Sequence, residues 1–300
     1  MTALADNSDE NILTEETLIK GIIIKNTSSK FFVQSDDQVF ELASRGALKY
    51  KNGRLLVGDE VEFSSGVITS VYPRRSEFSR PGVANIDYIN VVISSPPKPD
   101  YLLIDKIIVS AFYGGAKVVI TVNKTDVSDE TYDYVLKNYS NVAEKIFNVS
   151  ALSGKGIDEL KSGMRGKLCA FLGQSAVGKT SLVNALFDFN KRVGEISVKT
   201  QRGKHTTTAS EIHFEDGCAV VDTPGFSAMF CDVSSRDLSK YYPEFNFYSD
   251  TCYYIGCRHI SEPDCAVKIA LDEGKISSDR YNRYVEIYKT VLNEEKYGRR

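Results

Sequence analysis

Gly173-Gln174-Ser175-Ala176-Val177-Gly178-Lys179-Thr180 reads G-x-x-x-x-G-K-[ST], after the apolar run Leu168–Leu172 and before SLVNALF. Between a strand and a helix, this spacing turns backbone N–H groups inward around a phosphate, and the helix N-terminus adds partial positive charge. Lys179 would bridge the β- and γ-phosphates, and the Thr180 hydroxyl would ligate Mg²⁺. Gln174, Ser175, Ala176, Val177 and Ser181 complete the expected nucleotide-binding strip. Further on, CAVVDTPG is an apolar strand ending in Asp222, placed to hold Mg²⁺ through water, with the Gly225 N–H in reach of the γ-phosphate. Asn123-Lys124-Thr125-Asp126 supplies a carboxylate that can accept from guanine N1–H and the 2-amino group together. Adenine lacks that pair of donors and would leave a carboxylate unpaired. FNVSAL places Ser150 and Ala151 where backbone could read guanine O6. The chemistry these residues imply is GTP binding and attack of water on the γ-phosphorus, with GTP and GDP as ligands.

Phe226 follows Gly225, where many GTPases keep a glutamine that orients water. The candidate for that task is His205, in the segment GKHTTT. One of Thr206, Thr207 and Thr208 is expected to ligate Mg²⁺ and sense the γ-phosphate, with Thr207 carried forward as the candidate. A second constellation, Cys252-x4-Cys257-x-His259-x5-Cys265, offers three thiolates and one imidazole. Such a set suits one closed, tetrahedral, structural Zn²⁺, which would supply folding energy to a segment too short to build a core.

Several elements must hold these groups. Residues 18–75 read as five short strands, which suggests a small OB-fold barrel. Arg74, Arg75, Arg80 and Pro81 mark a linker. Residues 76–228 alternate strand and helix in the manner of a parallel α/β sheet. Helices are expected over Tyr101–Tyr113, Glu130–Tyr139, Asp158–Lys161 and Gly178–Phe187. Residues 229–300 form an irregular, aromatic-rich zinc-binding segment that closes on a helix over Ser278–Tyr297. Residues 1–17 read as an acidic flexible tail. The fold class is therefore multi-domain: all-β barrel, α/β P-loop domain, mostly helical C-terminus.

The order of the motifs is unusual. NKTD and the Ser-Ala loop precede the phosphate loop and DTPG, the reverse of an ordinary GTPase, as if the domain were circularly permuted. In that order the DTPG switch runs straight into the C-terminal segment.

Net charge is −3 at pH 7, so nucleic-acid binding must come from local patches. No apolar run is long enough to span a membrane, and no membrane partner is expected. A soluble cytoplasmic monomer is the plain expectation.

NKTD, SAL, GQSAVGKTSLVN, GKHTTT, DTPGF and C-x4-C-x-H-x5-C, together with RGALKY, LLVGDEVEF and HISEPDCAV, resemble the RsgA/YjeQ family of circularly permuted GTPases. The resemblance implies an N-terminal OB-fold and a C-terminal zinc domain. It also implies GTP hydrolysis stimulated by the small ribosomal subunit during its late maturation. RNA contact then becomes the expectation for Arg45, Lys49, Lys51 and Arg54, with rRNA as partner. Arg74, Arg75 and Arg80 would add a second basic group, and Arg280 and Arg283 on the terminal helix a further surface. Two rival readings stay open: a nucleotide-gated RNA-binding module with incidental hydrolysis, and a GTPase with a non-ribosomal partner.

Overall fold

The computed structural model describes residues 17–27, 29–44, 54–187, 210–222 and 233–298. The acidic tail up to residue 16 lies outside them, as do His205, Thr207, Gly225, Arg45, Lys49 and Lys51.

Near the N-terminus, β1 (Ile19–Asn26), β2 (Phe31–Ser35), β3 (Gln38–Ser44), β4 (Glu60–Ser64) and β5 (Val67–Val71) run in the order β1-β2-β3-β5-β4. Pairing of β1 with β4 closes the ring. Alternating residues fill it: Ile23, Val33, Leu42, Val61, Phe63 and Ile68 are buried together. Only part of RLLVGDEVEFSS is strand. Leu55–Asp59 packs instead as a buried connection, pinned where the Asp59 carboxylate accepts from Leu56 N–H at 2.8 Å.

The expected linker holds a small hairpin, β6 (Glu77–Ser79) and β7 (Gly82–Ala84). Its apolar residues Phe78 and Val83 belong to the α/β core. Three-residue strands leave too short an alternation to read against the surrounding arginines.

The α/β region contains β8 (Tyr88–Ser94), β9 (Lys117–Asn123), β10 (Lys145–Asn148), β11 (Leu168–Leu172), β12 (Glu211–Glu215) and β13 (Cys218–Asp222). Their order is β10-β9-β8-β11-β13-β12, parallel except for the β12–β13 hairpin. Strands such as YINVVIS and KVVITVN are almost wholly buried, which suits a sheet covered on both faces. The helices are α1 (Tyr101–Tyr113), α2 (Glu130–Tyr139), α3 (Ile157–Met164) and α4 (Lys179–Leu186). Asp100 starts α1 by accepting from Leu103 N–H at 3.0 Å, filling one of the orphan donors of the first turn.

The C-terminal part is mostly helical, as expected. A 3-10 turn at Leu238–Tyr241 precedes α5 (Pro243–Ser249), α6 (Ala266–Asp272) and α7 (Ser278–Tyr297). Phe245, Val267, Tyr284 and Ile287 form its core together with Val109 of α1. No described helix is long and apolar enough to cross a membrane.

Candidate nucleotide and metal sites

β11 delivers the chain into the phosphate loop, and α4 begins at Lys179. Two glycines are required there on geometric grounds. Gly173 has φ +144°, and a Cβ would sit 2.3 Å from the Val92 carbonyl oxygen. Gly178 has φ +92°, and its Cβ would meet Asn123 Nδ2 at 2.4 Å. Ala176 also has a positive φ, +64°. Lys179 folds over the loop, its Nζ donating to Gly173 O at 2.9 Å and Gln174 O at 2.7 Å. Burial holds that ammonium below its usual pKa, an effect that phosphate charge would offset. Gln174 reaches sideways, its Oε1 accepting from Asp100 N–H at 3.1 Å.

The NKTD loop and the Ser-Ala loop meet at Asn123. Its Nδ2 donates to Val177 O at 3.0 Å, and its Oδ1 accepts from Ala151 N–H at 3.0 Å. One buried amide thus ties NKTD, the phosphate loop and the Ser-Ala loop together. Lys124, with φ +64°, donates to Ala176 O and Pro96 O, each at 2.8 Å. Thr125 anchors the same loop, its hydroxyl donating to Val149 O at 3.0 Å. Ser150 Oγ accepts from Ser153 N–H at 3.1 Å, which shapes the loop carrying Ala151. Asp126 stands exposed beyond these anchors, its carboxylate facing solvent. Pro96 and Asp100 were not legible as part of this site, because a backbone carbonyl or amide leaves no side-chain signature.

Asp222 is the exposed last residue of β13, next to β11 in the sheet, while Thr180 is exposed in the first turn of α4. Both oxygens lie at the carboxyl edge of parallel neighbours. Mg²⁺ takes one or two protein oxygens and completes its shell with water and phosphate, so this donor set fits it. Ser181 is exposed beside Thr180.

Cys252, Cys257, His259 and Cys265 converge, with all ligand atoms within 4.8 Å of one another. Cys252 Sγ is 3.9 Å from Cys265 Sγ and 3.7 Å from His259 Nδ1, and the last two atoms are 3.3 Å apart. A tetrahedral thiolate site with metal–sulfur bonds of about 2.3 Å has edges of about 3.8 Å, so the spacing suits one ion. Burial pushes the Cys257 thiol up to about 12 and raises Cys265 too. A divalent cation is what would make them thiolates. Burial also lowers the His259 pKa, favouring the neutral imidazole that ligates. Glu262, missed by sequence reasoning, organises the knuckle. Its carboxylate accepts from Arg258 and Ile260 N–H at 2.9 Å and from Ser261 N–H at 3.1 Å. Burial alone would raise Glu262, but those donors hold it below the usual carboxylate range. Tyr281 and Tyr284 of α7 donate to the His259 and Arg258 carbonyls, seating the knuckle on the helical core.

Of the basic residues, Arg54 is exposed. Arg74 is half-buried and Arg75 exposed, and both are paired with acids. Arg74 donates to buried Asp59 at 2.7 and 2.8 Å, and Arg75 to Glu60 at 2.5 Å. Arg280 and Arg283 are withdrawn. Arg280 is 1% exposed and pairs with Asp105 and Glu244, and Arg283 with Asp105. Arg74, Arg280 and Arg283 neutralise buried acids, whereas the Arg75–Glu60 pair lies at the surface.

Comparison with known proteins agrees with this geometry. The profile of the RsgA GTPase family matches residues 71–231, and that of the RsgA N-terminal domain matches residues 20–68. A small ribosomal subunit biogenesis GTPase RsgA from Ruminiclostridium cellulolyticum is 36% identical over 290 residues, covering 92% of this chain and 95% of that protein. YjeQ from Thermotoga maritima superposes with a TM-score of 0.79 at 32% identity, covering 95% of this chain and 100% of that one. YloQ, described as a circularly permuted GTPase, does so at 0.76 and 26%, covering 97% and 99%. With the profiles matched across barrel and α/β region and relatives aligned over nearly the whole length, the chain belongs to the RsgA family of GTPases.

Proposed function

We propose that this GTPase acts in late maturation of the small ribosomal subunit, hydrolysing GTP to GDP and phosphate when the subunit engages it. The observation that carries the nucleotide half is Asn123, which joins both base-reading loops to the phosphate loop through two hydrogen bonds. The ribosomal half is supported by relatives named as small ribosomal subunit biogenesis GTPases.

In this reading the Gly173–Thr180 N–H groups, together with Lys179 and Ser181, bind the phosphates. Asp126 and Ala151 read guanine, with Asn123, Lys124, Thr125 and Ser150 positioning them. Mg²⁺ supplies charge neutralisation at the phosphates, held by Thr180, Asp222 and Thr207. Gly225 meets the γ-phosphate. His205 orients the attacking water, because Phe226 cannot. Arg45, Lys49, Lys51 and Arg54 contact rRNA, and the protein works as a monomer in the cytoplasm.

The test is GTP turnover by the purified protein, alone and with small subunits, large subunits or naked RNA. A large rise with small subunits alone is expected, and an equal response to all three would defeat the ribosomal assignment. H205A is expected to lower the stimulated turnover by about 10²–10⁴-fold, with GTP affinity within about threefold of the parent. Unchanged turnover would remove His205 from the mechanism.

The Cys252, Cys257, His259 and Cys265 cluster holds one structural Zn²⁺ in this proposal. Withdrawing it with a chelator should melt the knuckle yet spare α7, whose core rests on Phe245, Tyr284 and Ile287. Amide exchange would then rise across 252–265 and stay slow in α7. Equal loss in both would show that metal folds the whole C-terminal part.

A further inference from the structure

Strand β1 belongs to two cores at once. Its register against β2 slips between Ile23 and Lys25, leaving Ile24 as an extra residue. Such a bulge takes a side chain out of the alternation and re-aims it. Ile23 is buried in the barrel core, whereas Ile24 packs against the cluster that holds Ile212, Ala219 and Val221 of the α/β sheet. The next residue, Lys25, is the register partner of Glu211, the first residue of β12. Its Nζ lies 2.8 Å from the Glu211 carboxylate. Glu211 is in turn the register partner of Asp222. Lys25, Glu211 and Asp222 therefore form one row across β1, β12 and β13. Strands lie about 4.8 Å apart, which puts the barrel backbone about 10 Å from that of Asp222.

Side chains directly opposed across antiparallel strands share a face, and like charges there repel. Glu211 and Asp222 are such a pair, and Lys25 is the counter-charge for the first of them. Glu211 also follows Thr208 by three positions, so the segment carrying GKHTTT ends on this row.

We propose that Lys25 is a positioning residue for the nucleotide site. By neutralising Glu211 it leaves Asp222 to hold Mg²⁺ without a competing carboxylate. The same row gives the barrel a short route, through one ion pair and two strand pairings, to Asp222. The inference rests on the placement of Mg²⁺ at Asp222 proposed above.

Full-length K25E, E211K and the charge-swapped K25E/E211K test it, with K25M replacing K25E should the latter not fold. The first readout uses protein free of nucleotide and added Mg²⁺. Amide exchange at Ile212 and Val221 is expected to quicken about tenfold in K25E and to return within about twofold of the parent in the swap. The second is a Mg²⁺ titration of GTP hydrolysis. K25E should lower both turnover and the half-saturating Mg²⁺ concentration, because a second carboxylate then competes for the ion, and the swap should restore both. A purely structural defect would lower turnover without moving the Mg²⁺ dependence. Exchange and Mg²⁺ dependence that match the parent in K25E, or a defect the swap leaves in place, overturn the proposal. If D222A leaves the Mg²⁺ dependence untouched, the metal placement is wrong and the proposal falls with it. The ribosomal assignment is read separately, from stimulation of the parent protein by small subunits.

Discussion

Changing Asp126 to asparagine is expected to weaken GTP binding by about 10³–10⁴-fold while leaving the fold intact. The carboxylate of Asp126 has two acceptor oxygens for the adjacent N1–H and 2-amino donors of guanine. An asparagine amide keeps one acceptor and puts a donor where the other was, so one guanine donor faces a donor and both go unsatisfied. Xanthine carries a carbonyl at position 2, which that new donor suits, so the D126N variant should gain affinity for XTP as it loses GTP. Because Asp126 is exposed and stands outside the packed anchors of its loop, the change in stability should stay within about 0.5 kcal/mol. Competition binding with GTP, XTP and ATP measures all of this. Equal affinities of parent and variant for GTP would mean that another group reads the base.

The second large effect concerns stability. Arg280 is expected to be worth about 3–5 kcal/mol when truncated to alanine. Asp105 is fully buried on α1 and accepts from Tyr139 OH at 2.9 Å and Arg280 Nη1 at 2.5 Å, both at Oδ1. Arg283 Nε bonds the other oxygen. Arg280 also donates to Glu244 Oε1 at 2.6 Å and lies over the rings of Tyr139 and Tyr242, at 4.9 and 5.2 Å. Removing the guanidinium strands the buried Glu244 carboxylate and leaves buried Asp105 with Arg283 and Tyr139 alone. Replacing Arg280 and Asp105 together, as R280M/D105N, should cost less than the sum of the single changes, since each single change already breaks the Arg280–Asp105 pair that the double change loses once. Urea unfolding of the single and double variants settles it. Strict additivity would show that the groups act independently.

Much of the fold was legible because the decisive segments are long and repetitive in pattern. α1, α2, β8, β9 and α7 begin and end where periodicity and apolar runs place them. The convergence of NKTD, the Ser-Ala loop and the phosphate loop on Asn123 follows from segments whose residue types and spacing already stood out in the sequence. Three kinds of feature escaped. Short elements such as β6, β7, α5 and α6 have too few residues to show a period. The fate of charges escaped too: Arg280 and Arg283 read as a further RNA-contact surface, although the lone acid in YLLIDKIIVSAFY was the sign that cations must come to it. Backbone partners such as the Pro96 carbonyl escaped because any residue supplies one.

The strand order also has a consequence for how the chain is made. β8 and β9 leave the ribosome well before β11, yet β11 lies beside β8 in the finished sheet, and β13 and β12 follow later still. From the synthesis of Asn123, which completes β9, until that of Leu168, the apolar strand YINVVIS therefore has one unpaired edge. At roughly 5–20 residues per second that interval lasts several seconds, long compared with hairpin formation or collapse. The half of the sheet that carries NKTD and the Ser-Ala loop is thus born first, as an open-edged three-stranded fragment that β11 must later complete. Newly made chains should be most prone to mispairing in that window, and a translational pause within it would lengthen the exposure.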